Sequence, residues 1–364
     1  MPDDTTAKRK DEHLDLCATE QVAPVENSTL FEGVRLVHCA MPDLEAGQID
    51  LSTSLFGKRL KAPLLVTGMT GGTERAGKVN EDLARVAEEA GIAFGLGSQR
   101  AMAERPELAK TFSVRHVAPT TVIIGNLGLV QAANMSLDAI RRLTDAIGAD
   151  ALALHLNPGQ ELAQPEGDRD FRRGYETVSA LVKAYGDRLL VKETGCGISP
   201  DVARRLVDCG VRHLDVSGLG GTSWVRVEEL RSLGVAREVG AQFSSWGIPT
   251  AAAIASVRRA VGPEVTLIAA GGVRTGLDVA KALALGADLG GFALPLFRAH
   301  QQGGVPAAKR ALELVLTTLT NALLLTGSRT PLDLRKRPKV ITGELKDWLV
   351  ALTGSADSLE KNHG

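Results

Sequence analysis

The chain has 364 residues, enough for one large domain with additions or for two ordinary domains. Lysine and arginine number 42 against 43 aspartates and glutamates, and the formal net charge of −1 argues against general nucleic-acid binding. The four cysteines show no C-x-x-C spacing and no neighbouring histidine cluster. A disulfide framework or a structural zinc site is therefore not expected.

The sequence carries no recognisable secretory or membrane segment. Its first residues, MPDDTTAKRKDEH, lack the apolar core of a signal peptide. No apolar run reaches the ~18–20 residues that a membrane span requires. We therefore expect a cytoplasmic protein whose partner is a small molecule rather than nucleic acid or a membrane.

Eight short apolar runs recur along the chain, each followed by a stretch with helical periodicity. Because the runs are continuous rather than alternating, they indicate buried strands of a parallel sheet. The predicted strands are 63–68, 92–97, 121–126, 151–157, 189–193, 213–217, 265–271 and 289–294. Eight βα units predict an α/β protein with a single (β/α)₈ TIM barrel. A doubly wound open sheet is the alternative, but its glycine fingerprint after the first strand is missing.

Three segments follow from this assignment. They are an N-terminal extension (1–62), the barrel (63–326) and a C-terminal segment (327–364). Residues 223–262 are too long for one helix and are expected to hold two, and 305–326 form a C-terminal helix. The small, polar tail from about Thr353 is expected to be disordered.

Glycine-rich turns follow the last three predicted strands. Strand six ends in Ser217 and continues as GLGGT to Thr222, strand seven ends in Gly271-Gly272, and strand eight ends near Ala293-Leu294. Such turns let backbone N–H groups approach a phosphate closely, at the position where this fold commonly binds one. Any single turn could instead be glycine-rich only because it is tight.

The early strands end in small and polar residues that could line a bound heterocycle. These residues are Gly68, Met69, Thr70, Ser98, Gln99, Arg100 and Asn126. Lys192 is the only lysine within a predicted strand, and a lysine at a barrel mouth is costly unless it meets an anion. It could form a Schiff base, face the anionic edge of a reduced flavin, or pair with its neighbour Glu193.

The most specific segment lies at the end of strand four. His155 and Asn157 share a strand face, and Gln160 and Glu161 follow in the next loop. Glu161 is a hard oxygen ligand suited to Mg²⁺ that bridges phosphate oxygens. A lone histidine on a strand is more often a satisfied core residue, but four such side chains within seven residues favour a site.

The N-terminal segment contains Arg9, Lys10 and His13. Taken alone, these residues are typical of a solvated basic start to a chain. If the segment folds over the barrel mouth, Arg9, Lys10 and Arg100 could neutralise a diphosphate.

The motifs together resemble those of type 2 isopentenyl-diphosphate Δ-isomerase, a flavin-dependent enzyme family. The resemblance runs from Arg9 to about Leu325. It rests on RKDEH, TGMTGG, GSQR, HLNPGQELAQPEGDRDF, VKETGCGIS, GGTSW, WGIPTAAAI and AAGGVRTGLDVAKALALGAD. The long strand-four stretch together with SQR is the most specific part.

The resemblance implies interconversion of isopentenyl diphosphate and dimethylallyl diphosphate with reduced FMN, NADPH as reductant and Mg²⁺, in a homotetramer or octamer. It implies that Gly68, Met69, Thr70, Ser98, Asn126, Lys192, Ser217, Thr222, Gly271, Gly272, Ala293 and Leu294 hold FMN. It implies substrate contacts from Arg9, Lys10, Ser98, Gln99, Arg100, His155, Asn157 and Gln160, with Gln160, His155 and Asn157 as catalytic candidates and Glu161 as the metal ligand.

Two positions depart from that family's pattern: Gly159 stands where leucine is usual, and Cys196 where phenylalanine is common. We expect Cys196 to be structural, because nothing beside it in the sequence lowers the pKa of its thiol. The alternative functions are an FMN-dependent 2-hydroxy acid oxidoreductase and a non-catalytic flavin-binding barrel. The first would require a histidine base in the late loops, and the sequence offers none there.

Overall fold

The computed structural model describes residues 5–19, 22–24 and 28–354. These residues form twelve strands. The strands are β1 (Val34–Leu36), β2 (Thr53–Leu55), β3 (Lys58–Leu60), β4 (Leu64–Val66), β5 (Ala93–Gly95), β6 (Ile123–Gly128), β7 (Ala151–His155), β8 (Leu189–Lys192), β9 (His213–Asp215), β10 (Thr266–Ala269), β11 (Leu289–Phe292) and β12 (Lys339–Ile341).

The same residues form fifteen α-helices. The helices are α1 (Thr5–Ala18), α2 (Glu74–Ala90), α3 (Arg100–Glu104), α4 (Leu129–Ala133), α5 (Leu137–Ala146), α6 (Pro158–Ala163), α7 (Gly174–Tyr185), α8 (Pro200–Asp208), α9 (Trp224–Arg231), α10 (Gly234–Phe243), α11 (Thr250–Val261), α12 (Gly276–Ala284), α13 (Leu294–Leu325), α14 (Pro331–Lys336) and α15 (Gly343–Thr353). No helix in the described ranges has both the length and the apolar character needed to cross a bilayer.

Strands β4 to β11 close into a parallel barrel in chain order, with β11 hydrogen-bonded back to β4. Each of the eight predicted strands coincides with one of these, and the predicted TIM barrel is confirmed. The barrel forms because the strands are buried on both faces: helices cover the outside, and apolar side chains fill the inside.

The barrel interior changes character along its length. Leu190 and Ile268 belong to the apolar interior cluster, and Leu55 and Leu60 of the hairpin β2–β3 join that cluster. Side chains two residues apart on a strand share a face, so the next inward residue after Leu190 is Lys192. The interior is therefore apolar in the middle and polar at the carboxyl ends of the strands.

The segments that flank the barrel pair with each other. Strand β1 of the N-terminal extension is antiparallel to β12 of the C-terminal segment, with Val34 opposite Ile341. Helix α13 has non-helical backbone at Gly303 and Gly304, and its second part matches the helix predicted over 305–326. The predicted disorder of the tail concerns residues beyond Gly354, which lie outside the described residues.

One prediction about helices was wrong. Residues 223–262 contain three helices, α9, α10 and α11, instead of two. The first break comes at Ser232, and Gly234 then adopts a left-handed φ of 57° as α10 begins. The second comes before Pro249, which disfavours helical backbone at the residue preceding it. Sequence periodicity alone did not separate two such short helices.

Two matched ion-pair clusters hold the amino-terminal end of the barrel. In the first, Asp288 Oδ2 accepts hydrogen bonds from the Leu267 backbone N–H at 2.7 Å and from Arg258 Nη2 at 2.6 Å. Arg258 also donates to the carbonyl of Gly286, and Arg335 donates to Asp288 Oδ1. Both carboxylate oxygens of Asp288 therefore accept hydrogen bonds.

The second cluster repeats this arrangement four strands away around the barrel. Asp150 Oδ2 accepts from the Ile123 N–H and from Arg115 Nη2, both at 2.8 Å, and Arg115 donates to the Gly148 carbonyl. Lys58 pairs with Asp150 Oδ1 at 2.7 Å. These clusters fasten each strand to the loop that precedes its neighbour.

Candidate active site

A cavity of about 420 Å³ lies at the carboxyl ends of the barrel strands. Nearly every residue predicted for the site lines it. These residues are Arg9, Lys10, Gly68, Met69, Thr70, Ser98, Arg100, Asn126, His155, Asn157, Gln160, Glu161, Lys192, Ser217, Thr222, Gly271, Gly272, Ala293 and Leu294. The barrel therefore gathers side chains and backbone from all eight strand ends and from α1 around one volume.

Gln99 is the predicted site residue that the structure does not bring to the cavity. Its side chain is fully buried behind the cavity wall. The amide nitrogen donates to the Leu143 carbonyl at 2.8 Å, and the amide oxygen accepts the Asn126 N–H at 3.0 Å. The prediction that Gln99 contacts the substrate is therefore wrong. Ser98 lines the cavity instead, and Gln99 positions Asn126 through the hydrogen bond to its backbone N–H.

Helix α1 lies across the cavity mouth and carries Arg9 and Lys10 into it. Arg9 lies 3.7 Å from Glu166, and Lys10 Nζ donates to the Ser98 carbonyl at 3.4 Å. Burial, with a smaller contribution from the Arg9 charge, lowers the pKa of Lys10 to about 8. A half-buried lysine beside an arginine at a cavity mouth suits an anion.

Polar contacts to α9 and to the beginning of α2, including its N-cap Thr73, hold α1 in this position. Asp11 accepts a hydrogen bond from Thr73 at 2.9 Å, Glu12 pairs with Arg231 at 2.9 Å, and Asp15 pairs with Arg75 at 2.7 Å. Individually, such exposed pairs stabilise by less than about 1 kcal/mol. Together they fix the angle at which α1 crosses the mouth.

His155 at the end of β7 is a neutral imidazole. Asn126 Nδ2 donates to the Leu96 carbonyl at 2.9 Å, so Asn126 Oδ1 faces His155 Nδ1 at 2.8 Å and Nδ1 carries the proton. Burial, together with the charges of Lys192 and Lys10, lowers the pKa of His155 to about 3. His155 Nε2 is therefore an acceptor.

The segment after β7 turns directly into α6, with Pro158 in its first turn. This sharp turn brings Asn157 and Glu161 together: Asn157 Nδ2 donates to Glu161 Oε1 at 2.9 Å, and the Asp168 N–H donates to Oε2 at 2.9 Å. Gln160 Nε2 donates to Glu228 Oε1 at 3.1 Å. Glu161 is buried, lines the cavity, and is held by two neutral donors.

Glu228 on α9 is a site residue that sequence reasoning missed. Its side chain is fully buried, and it lies 3.2 Å from His13 Nε2 and against Arg231 as well as Gln160. Burial acts to raise the pKa of Glu228, but these hydrogen bonds and charges lower it below its usual value. In the sequence WVRVEELR no apolar periodicity separates buried from exposed positions, so nothing marked Glu228 as buried.

The structure excludes one of the three alternatives for Lys192, the salt bridge to Glu193. Glu193 Oε2 accepts the backbone N–H groups of Thr194 and Gly195, both at 2.6 Å, and those of the two residues that follow. Burial raises the pKa of Glu193 to about 7, against the effect of these donors. Lys192 Nζ donates instead to the Glu193 backbone carbonyl, so Glu193 is not the salt-bridge partner of Lys192.

Asp215 on β9 is a second residue that the sequence analysis missed. It is fully buried, and its Oδ1 accepts the Ser217 N–H at 3.0 Å and the Ser217 hydroxyl at 3.1 Å. Ser217 has a left-handed φ of 36°, which a non-glycine residue adopts at a cost. Period-two alternation from His213 could have identified Asp215 as an inward carboxylate at a strand end.

The glycines of the late loops let these loops pack on each other. A Cβ on Gly271 would lie 2.0 Å from the Gly218 carbonyl oxygen, and one on Gly221 would lie 2.3 Å from the Gly272 nitrogen. In the described part of the chain, the N–H groups of Gly221, Gly272 and Val273 donate to no protein group, and all three residues line the cavity. The close packing therefore gathers free donors that suit a phosphate.

The two departures from the resembled pattern are neighbours. A Cβ on Gly159 would lie 3.3 Å from Cys196 Sγ and 3.2 Å from the Val225 side chain. Burial, assisted by Glu193, raises the pKa of Cys196 to about 12, so the thiol stays protonated. This agrees with a structural rather than a catalytic Cys196.

The comparisons with known proteins agree with this geometry. A sequence model described as FMN-dependent dehydrogenase matches residues 4–157 and 163–341. The isopentenyl-diphosphate delta-isomerase of Metallosphaera sedula is 45% identical over 349 residues, 94% of this chain and 94% of the relative. The enzyme of the same name from Aeropyrum pernix is 44% identical over 351 residues, 95% of this chain and 93% of the relative. The chain belongs to the FMN-dependent isopentenyl-diphosphate delta-isomerase family.

Membership in this isomerase family explains the FMN features of the cavity. A mandelate oxidase mutant with a monooxide FMN adduct superposes with a TM-score of 0.63 at 21% identity, covering 93% of this chain and all of the oxidase. That similarity concerns the fold. The cavity itself fits FMN on two observations: free N–H donors gather in the late loops, and Lys192 makes no carboxylate salt bridge within the described residues. The described residues contain no cluster of three or more metal-ligating side chains.

Proposed function

We propose that this protein interconverts isopentenyl diphosphate and dimethylallyl diphosphate, using reduced FMN, with NADPH as the reductant and Mg²⁺ on the diphosphate. The observation that carries this proposal is the convergence of α1 and the β7–α6 segment on one cavity. Arg9 and Lys10 supply positive charge, and Glu161 supplies a buried carboxylate beside them. This composition suits a metal-bound diphosphate better than a carboxylate substrate.

The FMN site extends over the strand ends on the other side of the cavity. We assign its phosphate to Thr222, Gly271, Gly272, Ala293 and Leu294, and its ring to Gly68, Met69, Thr70, Ser98, Asn126, Lys192 and Ser217. The glycine at position 68 leaves room beside Asn126, since a Cβ there would lie 2.7 Å from Asn126 Nδ2. When bound, reduced FMN supplies a proton at N5 and an electron-rich ring that stabilises positive charge.

The diphosphate site is assigned to Arg9, Lys10, Ser98 and Arg100. Lys10 must be protonated to attract a diphosphate, and the planar guanidinium of Arg9 suits bidentate contacts with phosphate oxygens. Glu161 is the proposed Mg²⁺ ligand. Mg²⁺ is commonly held by one or two carboxylates together with substrate phosphates, so a cluster of three protein ligands is not required.

The catalytic candidates Gln160, His155 and Asn157 lie at the boundary between the two sites. An amide is a poor acid and a poor base, so Gln160 orients rather than titrates. Its bond to Glu228 Oε1 places a titratable carboxylate one hydrogen bond behind the cavity wall. His155 is neutral, and its Nε2 can accept a hydrogen bond from a ligand. Asn157 holds Glu161 in place.

We also propose that the protein is a cytoplasmic homo-oligomer, a tetramer or an octamer. Apolar side chains on and beside α10 support association, because Leu233, Val235 and Trp246 are 83%, 75% and 66% exposed. Sedimentation at micromolar concentration measures the oligomeric state, and a monomer there would contradict this part of the proposal.

An anaerobic proton-NMR assay tests the function. Purified protein with FMN, NADPH and Mg²⁺ should convert isopentenyl diphosphate until both isomers are present, and conversion should stop when the metal is chelated. Unchanged substrate would refute the proposal. Turnover of lactate or glycolate with an electron acceptor would instead establish the oxidoreductase alternative, although the histidines that line the cavity, His13 and His155, lie outside the late loops.

A further inference from the structure

Three inward side chains on adjacent strands form one layer at the top of the barrel. In the parallel register, His155 of β7 is opposite Lys192 of β8, and Lys192 is opposite Asp215 of β9. His155 and Lys192 are each 9% exposed, and Asp215 is fully buried. Asp215 does not line the cavity itself and lies behind Lys192 and Ser217, which do.

The two oxygens of Asp215 have different surroundings. Oδ1 accepts both hydrogen bonds from Ser217, whereas Oδ2 is buried and makes no hydrogen bond of normal geometry among the described residues, although the Ala270 backbone N–H also acts on this carboxylate. An ionised carboxylate with one bare oxygen is costly in a protein interior unless a cation compensates it. Burial raises the pKa of Asp215, and Lys192 is the cation that opposes this shift most strongly.

Lys192 has the complementary requirement. Its ammonium group makes a hydrogen bond to the Glu193 carbonyl, and the Glu193 carboxylate is already occupied by four backbone N–H groups. His155, on its other side, is neutral and cannot compensate a charge. Asp215 on β9 is the carboxylate in register with Lys192, and the two groups influence each other through space without a direct salt bridge.

We propose that Asp215 is a positioning residue whose buried charge offsets that of Lys192 on the neighbouring strand, while its Oδ1 holds Ser217 in its left-handed conformation. Asp215 thereby sets how much positive charge Lys192 presents to the flavin. This inference rests on the proposed function only in taking Lys192 and Ser217 as part of the FMN site.

The variant Asp215→Asn separates the two roles of the residue. Asparagine retains an acceptor oxygen for Ser217 but removes the charge beside Lys192. The uncompensated lysine should favour the anionic reduced flavin, so reduced FMN should bind about tenfold more tightly relative to oxidised FMN. For a two-electron couple, tenfold corresponds to about 30 mV toward more positive potential. Asp215→Glu, which retains the charge, should return the potential toward the wild-type value.

A double-mutant cycle with Lys192→Met tests whether Asp215 acts through Lys192. The shift in reduction potential caused by Asp215→Asn should disappear in the Lys192→Met background, because the lysine charge that Asp215 offsets is then absent. Asp288→Asn, which removes a half-buried, ion-paired carboxylate at the opposite end of the barrel, is the control and should leave the potential unchanged.

The measurement is a spectroelectrochemical titration of the FMN-loaded protein without isoprenoid substrate. An unchanged potential in Asp215→Asn, or an equal shift with and without Lys192, overturns the inference. If Asp215→Asn does not fold, the double variant with Lys192→Met should fold, since both charges are gone; failure of the double variant also overturns it. A wild-type protein that binds no FMN would refute the proposed function itself, before any variant is compared.

Discussion

The two ends of this barrel differ in how completely their charged side chains are paired. At the amino-terminal end, Asp150 and Asp288 have their oxygens occupied by strand N–H groups and basic side chains. At the carboxyl end, Lys192 has no carboxylate salt bridge in the described ranges, and Asp215 Oδ2 makes no hydrogen bond of normal geometry there. The paired groups of the amino-terminal end stabilise the fold, and Lys192, which lines the cavity, is available to a ligand.

The pKa values follow the same division. The pKa of Asp150 is lowered, because Lys58, the Ile123 N–H and Arg115 outweigh the effect of burial. At the mouth, burial prevails: it lowers the pKa of Lys10 to about 8 and that of His155 to about 3. A group whose charged form is disfavoured by burial, such as Lys10, is stabilised in that form when a ligand of opposite charge binds beside it.

Glu161→Gln should have the largest effect on catalysis. The amide retains the volume but loses the charge that Mg²⁺ needs, so turnover should fall by about 100-fold or more and lose its Mg²⁺ dependence. FMN affinity, measured by absorbance titration, should not change. Mg²⁺-stimulated turnover at the wild-type level in this variant would rule out the metal role.

Asp288→Asn should have the largest effect on stability. The change leaves Arg258, which is largely buried, without its carboxylate, and should lower the free energy of unfolding by about 2 kcal/mol. Turnover at a temperature where the protein is folded should stay within about twofold of wild type. Urea unfolding followed by circular dichroism measures the first quantity; a large loss of turnover in the folded variant would contradict the division between the ends.

Substrate affinity should depend on pH through Lys10. Its protonated form binds the diphosphate, so KM should be constant below about pH 8 and should rise above it as the ammonium is lost. Lys10→Arg should flatten this rise, and Lys10→Met should increase KM about tenfold already at pH 7. Initial rates between pH 6.5 and 9.5 measure both. The same rise in Lys10→Arg as in wild type would assign the titration to another group.

Gln99→Met should have the smallest effect on ligand binding, and it tests whether Gln99 lies behind the cavity wall. Because methionine lacks the side-chain amide of Gln99, the Asn126 N–H loses its acceptor, and FMN affinity should fall about fivefold. KM for isopentenyl diphosphate should be unchanged, because Gln99 does not reach the cavity. A raised KM with normal FMN affinity would restore Gln99 as a substrate contact.

The sequence predicted the part of the site that local pattern determines. Strand ends are visible as the last residues of apolar runs, and Lys192, His155 and Ser217 stand there. Gln99 was misassigned because SQR lies between the end of β5 and the first residue of α3, and the sequence does not show which of its three side chains faces the cavity.

Glu228 could not be predicted for a different reason. Its burial depends on α9 packing against α6, a contact between segments 68 residues apart that leaves no local signature. Asp215 stood in a predicted strand at an inward position, but its importance depends on the register that places it opposite Lys192. Long-range register and helix packing are therefore what the structure adds.

The most direct test of the contrast between the two ends is turnover and unfolding measured together on Glu161→Gln and Asp288→Asn. Anaerobic proton NMR gives the rate of conversion of isopentenyl diphosphate, and urea unfolding gives stability on the same preparations. We expect Glu161→Gln to lose turnover and retain stability, and Asp288→Asn to lose stability and retain turnover. If both variants lost turnover and stability together, the proposed division between a stabilising end and a catalytic end of the barrel would be wrong.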